Sequence, residues 1–120
     1  MKATEKQVGG NHYKKYSYQP IEFICDMNLN FIQGNIIKYI TRDKGNREED
    51  LQKIVHYCEL AQEFDVKSDL YVTASVKSDI EEFASQFDDI HISPIIYSTL
   101  RCHWDWITDR VTYMIKNLKS

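Results

Sequence analysis

Two runs of apolar residues at helical spacing lie back to back between Asn30 and Phe64, separated only by Lys44-Gly45-Asn46. Nothing else in the chain restricts its fold as much. The first run is Ile32, Ile36, Tyr39 and Ile40, with Phe31 and Ile37 widening the face. It predicts a helix over about 31–43 that Asn30 caps. Gly45 stands where a helix C-terminus takes a left-handed residue, and Asn46 caps the second run, with Glu49 three residues on as in a capping box. The second run, Leu51, Ile54, Val55, Cys58, Ala61 and Phe64, keeps the helical period. Two helices joined by so short a turn pack antiparallel.

The flanks are organised differently. Residues 1–19 are polar, with Gly9-Gly10 and no helical period, and read as an extended arm carrying His12, Tyr13, Tyr16 and Tyr18. Pro20 opens a short helix bearing Ile21, Phe23, Ile24 and Met27, which Asn28 and Asn30 end. That makes 20–64 a helical core. In 65–120, Leu70 to Val76 alternates well enough for a strand, with a helix still open there, and Ile90-His91-Ile92 reads as a short strand pairing with it. Between them Ser78 caps a helix bearing Ile80, Phe83, Ala84 and Phe87. From Ser93-Pro94 a single long helix runs to the end through Ile96, Leu100, His103, Trp106, Ile107, Val111, Met114 and Leu118. The expected fold is mainly α: a small helical domain with an antiparallel helix hairpin, a short β-hairpin in the second half and a long C-terminal helix. Trp104, Trp106 and Tyr113 leave apolar surface on more than one face of that last helix, which predicts a homo-oligomer.

Composition narrows the function classes. No apolar stretch approaches the roughly 20 residues that span a bilayer, and Met1 to Lys6 form no apolar leader, so a cytoplasmic protein without a membrane partner is expected. Cys25, Cys58 and Cys102 stand far apart with no metal-ligand spacing, and read as reduced, mostly core thiols. A net charge of −3 argues against a nucleic-acid partner. The charge is uneven: residues 1–60 carry a net +1 and residues 61–120 a net −4, so an anionic ligand is better received by the first half.

On the first helix of the hairpin, Asn35, Lys38 and Arg42 share one stripe opposite Ile32, Ile36 and Ile40, and Lys44 extends its charge. An amide beside two cations suits a phosphate, Arg as a planar fork and Lys as a point charge. The same pattern also suits a solvated helix face. Gly34, in mid-helix, costs about 1 kcal/mol relative to Ala, which points to a close approach by a neighbouring helix or a ligand. Asp50 and Lys53 open the next helix, where Asp50 is either a magnesium or ribose ligand or a favourable N-terminal acid. His12 and Tyr13 are candidates for phosphate contact and base stacking. His56, His91 and His103 read as structural, His103 on the buried side of its helix. With four glycines the chain holds no P-loop and no Gly-x-Gly-x-x-Gly. Asp79, Glu81, Glu82, Asp88 and Asp89 lack the spacing of the helical pyrophosphohydrolases.

The ordered combination His12-Tyr13, Pro20-Ile21-Glu22, Phe31-x-x-Gly34-Asn35-x-Ile37-Lys38-Tyr39-x-x-Arg42 and Asp50-Leu51-x-Lys53-x-x-x-Tyr57 resembles a small bacteriophage domain. That family is known as a domain of unknown function or as a phage nucleotide kinase. The resemblance covers about residues 11–64 and leaves 65–120 outside. It implies a nucleoside monophosphate kinase without a P-loop, using magnesium and ATP, with His12, Asn35, Lys38, Arg42, Asp50 and Lys53 at the site. In that reading Lys38 and Arg42 neutralise the transferred phosphate, Asp50 places the metal, and Tyr13 or Tyr39 stacks on the base. The sparse acid–base equipment points instead to a protein that binds and sequesters a nucleotide, such as a cyclic oligonucleotide or cyclic ADP-ribose signal. A third reading is an inhibitor that docks on a host protein through Trp104 and Trp106.

Overall fold

A computed structural model describes residues 2–6 and 16–118. Among them are six α-helices and no strand: α1 (Pro20–Asp26), α2 (Phe31–Thr41), α3 (Arg47–Glu63), α4 (Ala74–Ala84), α5 (Ile92–Leu100) and α6 (Trp104–Leu118), after a 3₁₀ turn at Ala3–Glu5. His12 and Tyr13 lie outside the described residues.

The first half follows its local signals. Pro20 sits in the first turn of α1, and the Gln19 amide donates to Glu22 at 3.0 Å. Asn30 and Gln33 form a reciprocal capping box at the start of α2. Asn46 accepts from the Glu49 amide, but the Glu49 side chain turns to Lys53, four residues on and 3.4 Å away, so the expected box is only half made. Gly45 has φ +80°. The α2–α3 pair is antiparallel: Arg42 meets Asp50, Tyr39 meets Lys53, and Phe31 meets Tyr57. Gly34 is buried where a Cβ would come 3.3 Å from the Ile24 side chain, so the close neighbour is α1.

The second half departs from expectation at the hairpin and in the long C-terminal helix. No β-hairpin forms. Leu70–Val72 has no partner strand, and Thr73, rather than Ser78, caps a helix by accepting from the Val76 amide. That helix buries Ile80, Phe83 and Ala84, so the helical period there outweighs the short alternation before it. Ile90-His91 is a turn, where the Asp89 carboxylate accepts from the His91 amide, and Ile92 already begins α5. The long C-terminal helix is two helices. Cys102 adopts φ +58°, its amide donates to Thr99 O, and the His103 amide donates to Ser98 O. This is a Schellman closure made without glycine. Finally, His56 and His103 are exposed; neither is a core histidine.

The core sits on α3. Its Leu51, Ile54, Cys58 and Ala61 are fully buried, and α6 packs on it most extensively, with α2 next. Phe23 of α1 stacks on Phe83 of α4 with centroids 4.1 Å apart. Gln33, buried on α2, donates to Thr99 O on α5. Tyr18, just before α1, is clamped by Gln86, whose amide pairs with both the N–H and C=O of Tyr18. Among the described residues no helix is long and apolar enough to cross a membrane.

Burial pushes the Cys58 thiol up to about 11, whereas Cys25 is exposed. A maleimide reagent is therefore expected to modify Cys25 rapidly and Cys58 only on unfolding, as mass spectrometry of tryptic peptides will show. Because the unfolded thiol ionises first, stability falls as pH rises from about 8.5 towards 11, by up to about 2–3 kcal/mol from this group. Urea titrations at stepped alkaline pH check it, and Cys58→Val flattens the slope.

Candidate functional site

The α2–α3 turn gathers three of the charged residues that the sequence singles out, Arg42, Lys44 and Asp50. Arg42 is the first non-helical residue after α2, with extended backbone (φ −75°, ψ 126°). Its Nε lies 3.9 Å from Oδ2 of Asp50, in the first turn of α3. The Asp50 side chain is 4% exposed and that of Arg42 33%, so a buried carboxylate faces a partly exposed arginine. Neither Nε nor Oδ2 makes a hydrogen bond among the described residues. A Cβ on Gly45 would come 3.3 Å from Arg42 Nη2, so the left-handed glycine lets the chain pass close behind the fork.

Arg47, the first residue of α3, has a different task. Its Nη1 donates to the carbonyls of Tyr39, Ile40 and Arg42 at 3.3–3.4 Å, filling the C-terminal end of α2. Burial draws its pKa down, against the opposing charges of Asp89 and Asp50. Arg47 is not among the site residues expected from the sequence. The available signal was a cation just beyond the helix-ending glycine, where it can reach back to free carbonyls.

A cleft of about 290 Å³ opens here, with Tyr16, Thr41, Arg42, Lys44, Gly45 and Arg47 among its walls. Asp43 and Asp89 also line it, so the cationic excess is modest and the anion preference rests on where Arg42 points.

The other expected residues divide into separate groups. Lys38 and Lys53 place their ammonium nitrogens 5.1 and 5.0 Å from the Tyr39 ring centroid, and Tyr39 stacks on Tyr57 at 6.2 Å. This aromatic group lies one turn along the α2–α3 seam from the Arg42–Asp50 pair. Asn35 is not part of either group: its amide donates to the Phe31 carbonyl of its own helix at 2.8 Å.

Asp50 does not fit an open magnesium ligand, because its buried charge is committed to Arg42. Among the described residues no three His, Cys, Asp or Glu side chains gather as a metal site, the acidic residues of 79–89 included. The chemistry on offer is anion recognition by a fixed guanidinium.

Residues 8–59 match the family model DUF3310, described as a protein of unknown function; the match covers just under half of the chain. It takes in the whole α2–α3 turn, stops inside α3, and carries no kinase assignment. No curated protein and no solved structure matches the chain.

Gly45→Ala forces a side chain into a left-handed position and against Arg42. A loss of about 1–2 kcal/mol is expected in urea unfolding. Arg47→Met leaves the carbonyls of Tyr39, Ile40 and Arg42 without their donor and is expected to cost about 1–3 kcal/mol. Amide hydrogen exchange will then quicken first at the end of α2.

Proposed function

We propose that the α2–α3 turn binds the phosphate of a nucleotide, with Arg42 as the principal contact, and that the protein holds this ligand without turning it over. The observation that carries the reading is the Arg42–Asp50 pair. A buried carboxylate lies in ion-pair range of one edge of the guanidinium, 3.9 Å from Nε, while Nη2 stays beside Gly45, which lines the cleft with Arg42. Such a fork is already ordered before an anion arrives, so less side-chain entropy is lost on binding. Lys44, exposed on the same turn, adds charge at the rim. The nucleotide class is supported by the resemblance of residues 11–64 to a phage domain, and by Tyr16 in the cleft wall as a flat partner for a base.

The choice of binding over phosphoryl transfer follows from the roles of the charged groups. Transfer requires charge stabilisation of two phosphoryl groups and a group to orient the nucleophile. In this cleft Arg47 is occupied by helix carbonyls, and Asp50 is buried against Arg42. That leaves Arg42 and Lys44 as the cations for a ligand, a set suited to gripping one phosphate.

The test is an incubation of the full chain with ATP, magnesium, the common nucleoside monophosphates and a panel of cyclic nucleotides. Free and heat-released bound pools are then read by mass spectrometry. An intact nucleotide in the bound pool is expected. New diphosphates in the free pool overturn binding without turnover, and an empty bound pool overturns the nucleotide reading. For the nucleotide retained, Arg42→Ala is expected to weaken affinity about 10–100-fold. Asp50→Asn is expected to cost less, about tenfold, because it loosens the fork without touching the ligand. Circular dichroism confirms that both variants remain helical.

A further inference from the structure

Tyr16, in the wall of the cleft at the α2–α3 turn, belongs to no helix. Two residues from the second half of the chain hold it. Gln86 and Phe87 follow the end of α4 and lie beyond residues 8–59 that the family model covers. The Gln86 side-chain oxygen accepts from the Tyr18 amide at 2.8 Å and from Ser17 Oγ at 3.2 Å. Its nitrogen donates to Tyr18 O at 2.9 Å and to Phe83 O at 3.2 Å. A primary amide has two donor hydrogens and two acceptor lone pairs, and here all of them are used. Pairing one side chain with both the N–H and the C=O of Tyr18 fixes the backbone there in position and rotation, as a partner strand would. The Phe87 ring then packs on the Tyr16 ring, with centroids 4.9 Å apart and planes tilted by 55°. Phe87 is itself anchored edge-on to Phe83, which is fully buried.

We infer that Gln86 is a positioning residue for the cleft: together with Phe87 it sets Tyr16 where a base can stack, and so sets the affinity for the base half of a nucleotide. This rests on the reading of the cleft as a nucleotide phosphate site. Gln86 does not itself line the cleft, so it acts through Tyr16. A ring on a segment outside any helix would have to be ordered when a base arrives, at a cost in side-chain and backbone entropy. The clamp orders it beforehand. Asp89 and Ile92, a few residues further on, line the same cleft, so the segment after α4 both holds Tyr16 and closes the site. The labour is thereby divided. The phosphate contacts, Arg42 and Lys44, come from the matched domain, and the base wall depends on the half of the chain outside it.

Equilibrium dialysis of the full chain against the common ribonucleoside 5′-monophosphates and against ribose 5-phosphate tests this, because ribose 5-phosphate keeps the phosphate and lacks the base. At least one monophosphate is expected to bind about tenfold tighter than ribose 5-phosphate, as stacking on one ring allows. Gln86→Leu is expected to remove about three- to tenfold of that preference and to leave ribose 5-phosphate binding as it was. Phe87→Ala is the second variant with the same expectation, and circular dichroism checks that each remains helical. Tyr16→Ala is expected to abolish the preference, and the double variant Tyr16→Ala/Gln86→Leu to bind no more weakly than Tyr16→Ala alone. Equal losses for both probes, additive losses in the double variant, or a monophosphate affinity indifferent to Gln86→Leu and Phe87→Ala overturns the proposal. A wild-type chain that binds ribose 5-phosphate as tightly as every monophosphate overturns it while the phosphate site stands. Binding of neither probe overturns the nucleotide reading, and this inference with it.

Discussion

One buried stripe on α3 has to satisfy two neighbours at once. Leu51, Ile54, Cys58 and Ala61 lose all contact with solvent between α2 and α6, and two of the four are small enough to let helices approach closely. Ile36, Ile37 and Ile40 come from one side and Ile107 and Val111 from the other. Once that packing is made, the end of α2 lies over the start of α3. Arg42 then meets Asp50, and Arg47 reaches the carbonyls of the preceding helix. The charged turn is thus held in place by apolar burial beneath it.

Chain reversals depend on a second constraint. After α1, α3 and α5 the backbone turns through Asn28, Asp65 and Cys102, each with φ between +52° and +58° and none a glycine. In each case that residue's own amide and the one after it close back onto the last helical turn. A left-handed non-glycine residue costs roughly 1–2 kcal/mol. Two recovered hydrogen bonds and the packing of the next helix offset that cost. At Cys102 the thiol also accepts a contact from buried Gln33, tying the reversal to α2.

The two arginines of the turn show how similar residues acquire different uses. Arg47 enters the protein and serves helix carbonyls, so its charge is absorbed by structure. Arg42 is held by a buried acid at its Nε edge while its fork faces a cleft. Neither role follows from the net charge of the region, to which Asp43 and Asp89 contribute in the opposite sense. Recognition here is a matter of which cation is fixed and open.

Much of the first half was legible in the sequence because its signals are local. Asn30 and Asn46 cap, Gly45 reverses, and the apolar period of 31–64 names the buried stripe; each acts within a few residues of itself. In the second half the same kind of reading failed where context decided. Alternation over 70–76 was too short to outweigh the helical period that follows, and a helix break at Cys102 carries no glycine or proline to announce it. The sequence by itself determined that the chain is mainly helical and that a cationic turn joins α2 to α3. Only the tertiary structure decided that Asp50 is buried against Arg42, that Arg47 caps α2, and that α6 folds back across α3. Those outcomes depend on which side chains exclude water together, and residues far apart in the chain settle that jointly.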